Sequence, residues 1–168
     1  MKKLVVVTAA LLAVLPLVAQ DRGHMDELIK HWQTSKDFTL AVAAAMPAAD
    51  YGFKPNVEEM SFGEVMDQVA RANASYISRA AGTKPPLATS GNFDKDTVMK
   101  RLNESFDYCI KTIDGLTPGQ MNKMAGPEGR QMSGRELIWA AFTHTAHHRG
   151  QAEVYLRVKG IKPPEYTF

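Results

Sequence analysis

The chain has a single cysteine, Cys109. One thiol cannot close an intramolecular disulfide, so a disulfide-stapled fold is excluded. A basic excess is missing as well: Lys+Arg number 20 against 18 Asp+Glu, with no cluster of like charge. That balance argues against nucleic acid as a partner. No segment combines apolar–polar alternation with turn chemistry at its ends, and none repeats, so strands and solenoids are not expected. No serine sits in a strand–turn–helix elbow, and the acids mostly fall in caps or on exposed helix faces. Serine-nucleophile and paired-carboxylate chemistry therefore have no foothold.

The one long apolar run is at the start. Lys2 and Lys3 precede residues 4–15, which are almost unbroken apolar, and Pro16-Leu17-Val18-Ala19 leads into polar sequence. This is the layout of a secretory signal peptide, with an apolar core short for a membrane span. Cleavage after Ala19 is the expectation, with an uncleaved anchor as the alternative because Leu17 is larger than the usual small residue at that place. The leader takes two lysines and no acids with it, leaving a formally neutral mature chain. A periplasmic or secreted protein, off the membrane after cleavage, is expected. Residues 20–168 have the length and apolar content for one domain with one core.

That domain reads as four amphipathic helices. The first covers about residues 25–46, where Leu28, Trp32, Ser35, Thr39, Val42 and Met46 recur at helical spacing until Pro47 ends the run. The second opens on the capping box of Ser61 and Glu64, carries Phe62, Val65, Val69, Ala72 and Tyr76, and stops at Gly82. The third starts near Asp94 and carries Val98, Leu102, Ser105 or Phe106, Cys109 and Ile113 before Gly115. The fourth has Ser133 and Glu136 as a second capping box and Gly160 as its stop. A connector with Pro118, Gly126, Pro127 and Gly129 separates the last two. The fold class predicted is all-α, a four-helix bundle.

The inward positions of the last helix are Leu137, Ala141, His144, His148, Gln151, Tyr155 and Val158, with gaps of four and three. Two imidazoles and an amide thus interrupt an apolar seam, and burying them without partners would cost about 1–3 kcal/mol each. His144 and His148 are one helical turn apart, a spacing at which two imidazoles share a divalent cation such as zinc, nickel or iron. A hydrogen-bonded polar layer or a watered pocket is the alternative. A third ligand has to come from another helix. Gln68, at the edge of the second helix's stripe, offers an amide oxygen, and His31 occupies a similar edge beside Trp32. His147 and Arg149 are placed at the rim, Arg149 as a solvated side chain, and Gln151 is either a partner to a ligand or part of the polar seam.

The run His144-Thr145-Ala146-His147-His148-Arg149-Gly150-Gln151, with Tyr155 to Pro164 after it, resembles the closing helix of the DinB-like (YfiT-like) proteins. The likeness continues through His31-Trp32, Phe53-Lys54-Pro55, Ser61-Phe62-Gly63-Glu64 and Ala70-Arg71-Ala72-Asn73, covering residues 25–165. The resemblance implies a four-helix bundle that often dimerises. It also implies a divalent metal on one histidine of helix two and two of helix four, the latter being His144 and His148. Characterised relatives include transferases and isomerases that use low-molecular-weight thiols; many others have no assigned activity. Gln68 stands where the family places its helix-two histidine, so the site is either a His/His/Gln metal site or one that has lost its metal and kept a polar pocket. Such thiols are mainly intracellular, which the leader does not match. The expectation is an exported metal-dependent hydrolase or thiol-dependent transferase acting on a small molecule, without an assignable catalytic residue. The alternative is a non-catalytic bundle acting in binding or dimerisation, with Trp139 and Phe142 away from the inward stripe.

Overall fold

The computed structural model describes the backbone of residues 2–168 and the side chains of residues 23–168. The expected leader, residues 1–19, lies outside the residues described in full. Among the described residues no helix is long and apolar enough to cross a membrane.

Local signals set the helix ends. Helix α1 (Lys2–Ala45) stops just ahead of Pro47, and a 3-10 turn at Ala48–Asp50 follows. In α2 (Phe62–Ala81), the Ser61 hydroxyl accepts from the Glu64 N–H and the Glu64 carboxylate accepts from the Ser61 N–H. Gly82 closes the helix at φ 74°, a left-handed conformation that suits glycine. Asp94 caps α3 (Lys95–Asp114) by accepting from the Thr97 N–H. Two further helices come from the connector and the C-terminal segment. The short α4 (Pro118–Asn122) is capped by Thr117, and α5 (Gly134–Val158) carries the Ser133/Glu136 box.

The connector holds more structure than the sequence suggested. Beyond α4, Met124–Ala125 (β1) pairs antiparallel with Met132–Ser133 (β2), joined through Gly126 and Gly129 at φ 127° and 77°. The expectation of no strand is corrected here. Two-residue strands are too short to display alternation, so periodicity could not reveal them.

The bundle is formed by α1, α2, α3 and α5. Helix α2 packs against α3 and α5, and α1 closes the other side against the same two. Trp32, Phe62, Leu102, Phe106, Leu137 and Leu156 are fully buried between them. Close approach at the start of α2 requires Gly63, where a Cβ would lie 2.2 Å from the Phe93 carbonyl oxygen.

The capping boxes make stability depend on acid. Hydrogen bonds from the Ser61 and Ser133 N–H groups are the main cause holding the Glu64 and Glu136 carboxyls below their ordinary value. A carboxyl depressed in the folded state stabilises above its unfolded value, and that contribution is lost as pH falls through the folded one. In urea titrations at pH 3 to 7, a Glu64→Gln/Glu136→Gln variant is expected to lose less stability on acidification than the parent. Parallel curves would mean that the two carboxylates contribute nothing of this kind.

Candidate functional site

The site lies where α2 meets α5, and a buried side-chain bond sets their register. The Thr145 hydroxyl donates to Asn73 Oδ1 at 2.9 Å, both residues being fully buried. With that pair in place, Gln68, Arg71, Ala72, Ser75, Tyr76 and Arg79 of α2 face His144 of α5 across a cleft of about 260 Å³. The His144 and His148 rings lie edge to face with centroids 4.4 Å apart. His147 is exposed, with its ring 4.9 Å from that of His148. A larger, mostly apolar cleft of about 350 Å³ lies between Met25 and Leu28 of α1 and Ile138 and Trp139 of α5, but the paired histidines do not line it.

Both imidazoles of the pair are neutral at neutral pH. Burial is the main cause that pulls His144 down to about 4, with repulsion from His148 and His147 adding to it. Burial likewise lowers His148, against a hydrogen bond to Gln151 that raises it. A neutral imidazole has one nitrogen with a free lone pair, and the neighbours decide which one. Gln151 Nε2 donates toward Glu59 Oε2 at 3.5 Å, so its Oε1 is the atom 3.0 Å from His148 Nδ1. His148 then carries its proton on Nδ1, leaving Nε2 for a ligand. This carboxylate–amide–imidazole chain is the kind of outer support that orients metal-binding histidines. His144 Nδ1 is buried and has no hydrogen-bond partner among the described residues.

The third corner differs. Gln68 lines the cleft beside His144, but its Oε1 accepts a hydrogen bond from Arg71 Nη2. Arg71 Nε in turn donates to Asp67 at 3.1 Å, and Asp67 also takes Arg101 Nε at 2.6 Å. Among the described residues no three His, Cys, Asp or Glu side chains group to hold a metal ion. The potential donors gathered here are the two imidazoles and, beside His144, the Gln68 amide, whose oxygen is engaged by Arg71.

Several residues lie where the sequence did not put them. Arg149, expected in solvent at the rim, is only 5% exposed. It donates to the Ser35 and Thr39 hydroxyls of α1 at 3.2 and 3.3 Å and stacks over Phe38. Val158, expected inward, is 59% exposed, and His144 is half-buried rather than central. The reason is that α5 packs against both α1 and α2, so the buried arc is wider than one seam and includes Thr145, Arg149 and Ala152. Asp67 is an exception to the acids lying mostly in caps or on exposed faces, being fully buried as the anchor of two arginines. Its i, i+4 spacing from Arg71 was the available signal. His31 is exposed and stacks on Phe168, away from the paired rings. Cys109 is buried and its thiol is pushed up by burial, which leaves it unreactive.

A helical bundle with a supported histidine pair on its last helix defines the class of protein. The chain belongs to the DinB superfamily, whose model matches residues 27–152. It is 21% identical over 140 residues to the uncharacterized protein YjoA of Bacillus subtilis, covering 80% of this chain and 90% of that one. It is 23% identical over 146 residues to the uncharacterized protein YrdA of the same organism, covering 83% and 86%. The crystal structure of the DinB-like YjoA superposes with a TM-score of 0.69 at 22% identity, over 83% of this chain and 96% of that one. A DinB-like protein from Bacillus cereus gives 0.69 at 15% identity, over 84% and 97%. At these identities the structural likeness speaks for the fold.

Proposed function

We propose that the protein binds a divalent cation, zinc, nickel or iron, between His144 and His148 with Gln68 at the third corner. It would act there on a small molecule as a metal-dependent hydrolase or thiol-dependent transferase. The observation that carries this reading is the pair of adjacent neutral rings, one with an orphaned buried Nδ1 and the other with its proton fixed by Gln151 and Glu59. A buried, unpartnered imidazole nitrogen costs stability unless something occupies it. A bound cation would supply Lewis acidity. The protein's own part is to keep both imidazoles deprotonated, orient His148 through Gln151, and hold the Gln68 amide in place through Arg71. The exposed His147 beside the pair is placed to pass protons to solvent.

Export, read from residues 1–19, belongs to the same proposal; the N-terminal residue of the protein recovered outside the cytoplasm tests it, with Gln20 expected. Zinc and nickel titrations against a competing chelator test the metal. Gln68→His is expected to tighten binding, because an imidazole is a stronger donor than an amide, and His144→Ala/His148→Ala to abolish it. Unchanged affinity in Gln68→His would remove residue 68 from the site.

A second reading, a non-catalytic bundle that dimerises, draws on Trp139, Val154 and Val158 of α5, which are 58%, 54% and 59% exposed. Trp139→Ser is expected to shift the size-exclusion profile from dimer toward monomer. An unchanged dimer would exclude Trp139 from the interface.

A further inference from the structure

The cleft beside His144 is unusual in its charge. Among the described residues its lining includes two arginines, Arg71 and Arg79, and no carboxylate. Arg71, Ser75 and Arg79 follow one another at spacings of four on α2, so both guanidinium groups come to the same side of the helix. The carboxylate bonded to this group, Asp67, is shared between Arg71 and Arg101, so one negative charge faces two arginines before Arg79 is counted. Arg79 has no acidic partner among the described residues. Its guanidinium lies over the Tyr76 ring, 4.9 Å from the centroid, and its Nε is buried without a hydrogen-bond acceptor among the described residues. A permanent cation with no acidic partner among the described residues, next to a second cation in a cleft whose lining carries no carboxylate, is a seat that lacks its anion.

We propose that this cleft binds the oxyanion group of a small ligand, a phosphate or a carboxylate, through Arg79 and Arg71. The ligand's anionic end lies along α2, and the remainder of the molecule is directed toward His144. As substrate recognition this rests on the metal-centre reading above; as anion binding it stands independently of it. Arg71 has a double part, because the same guanidinium holds the Gln68 oxygen. An arriving anion competes for that hydrogen bond and loosens Gln68, which ties ligand binding to the third corner of the histidine site.

The test is calorimetric titration of the full chain with sodium phosphate and, separately, with sodium acetate, at ionic strength held constant with chloride. Saturable binding of one anion per chain is expected, and the arm that binds more tightly identifies the oxyanion class. Arg79→Gln is expected to weaken it roughly tenfold or more, the loss of one charge-assisted hydrogen bond. Arg79→Lys, which keeps the charge without the planar fork, should fall between that variant and the parent. Arg157→Gln, an exposed arginine elsewhere on α5, should bind within about twofold of the parent, as a surface charge does. Circular dichroism of each variant checks that the helices are intact. No saturable binding to the parent, or equal losses in the Arg79 and Arg157 variants, would overturn the proposal. Zinc titrations on the same samples keep the two readings apart. Phosphate binding without zinc binding removes the metal centre and leaves the anion seat; zinc binding without phosphate or acetate binding does the reverse.

Discussion

Asp67→Ala is expected to cost about 3–5 kcal/mol of folding stability, the range for removing one partner of a buried ion pair. The carboxylate has no exposure, and it accepts from Arg101 at 2.6 Å and from Arg71 at 3.1 Å. Arg101 has a side chain only 12% exposed and keeps just the Ala88 carbonyl as an acceptor once the carboxylate is gone. Most of the cost comes from the stranded cation rather than from the missing attraction. A double replacement, Asp67→Leu/Arg101→Leu, should therefore recover much of it, since apolar side chains of similar volume often match a buried pair. Urea midpoints of the parent, the single and the double variant check this. Equal losses in the single and double variants would mean the pair stabilises by Coulombic attraction that exceeds its desolvation cost. The substitution also frees Arg71 from its second anchor; if a cation is held at Gln68 as proposed above, its affinity should fall with it.

Trp32→Ala is expected to destabilise by a similar about 3–5 kcal/mol, but for a different reason, the cavity left by a large aromatic in a packed core. Trp32 has no exposed surface and stands edge-on to Phe106 of α3 and Phe142 of α5, at 6.0 and 5.8 Å between ring centroids. It joins three of the four bundle helices at one point. Its indole Nε1 is buried and has no acceptor among the described residues, so no described hydrogen bond disappears with it. Trp32→Phe should accordingly cost much less than Trp32→Ala, because it removes an unsatisfied donor along with part of the ring. Thermal unfolding of both variants distinguishes the cases; equal losses would assign the indole N–H a partner.

Most helix ends were legible in the sequence because they are chemical; the start of α1, expected near residue 25, is instead at Lys2. The Ser61/Glu64 and Ser133/Glu136 boxes, Pro47 and Gly82 each mark a boundary within a residue or two of the observed one. The histidine pair was legible from spacing alone, since a turn of helix brings residues four apart together. What spacing did not carry was the rotation of α5 relative to its neighbours. A periodic stripe names one face, whereas a helix wedged between two others buries a broad arc, and Arg149 lies on the part turned to α1. The Ser35 and Thr39 hydroxyls were visible in the α1 seam, and their match to a buried guanidinium on the last helix depended on packing. The Asp67–Arg71–Gln68 chain was hidden for the same reason. Its members are near in sequence, but only Arg101 from α3 explains why the carboxylate is buried.

The most direct test of the histidine site is a crystal of the full chain soaked with zinc and measured at the zinc absorption edge. An anomalous peak about 2.0–2.1 Å from one nitrogen of His144 and from His148 Nε2 is expected. A peak seated elsewhere, or none at the pair in crystals that take up zinc at other positions, would contradict a metal centre there.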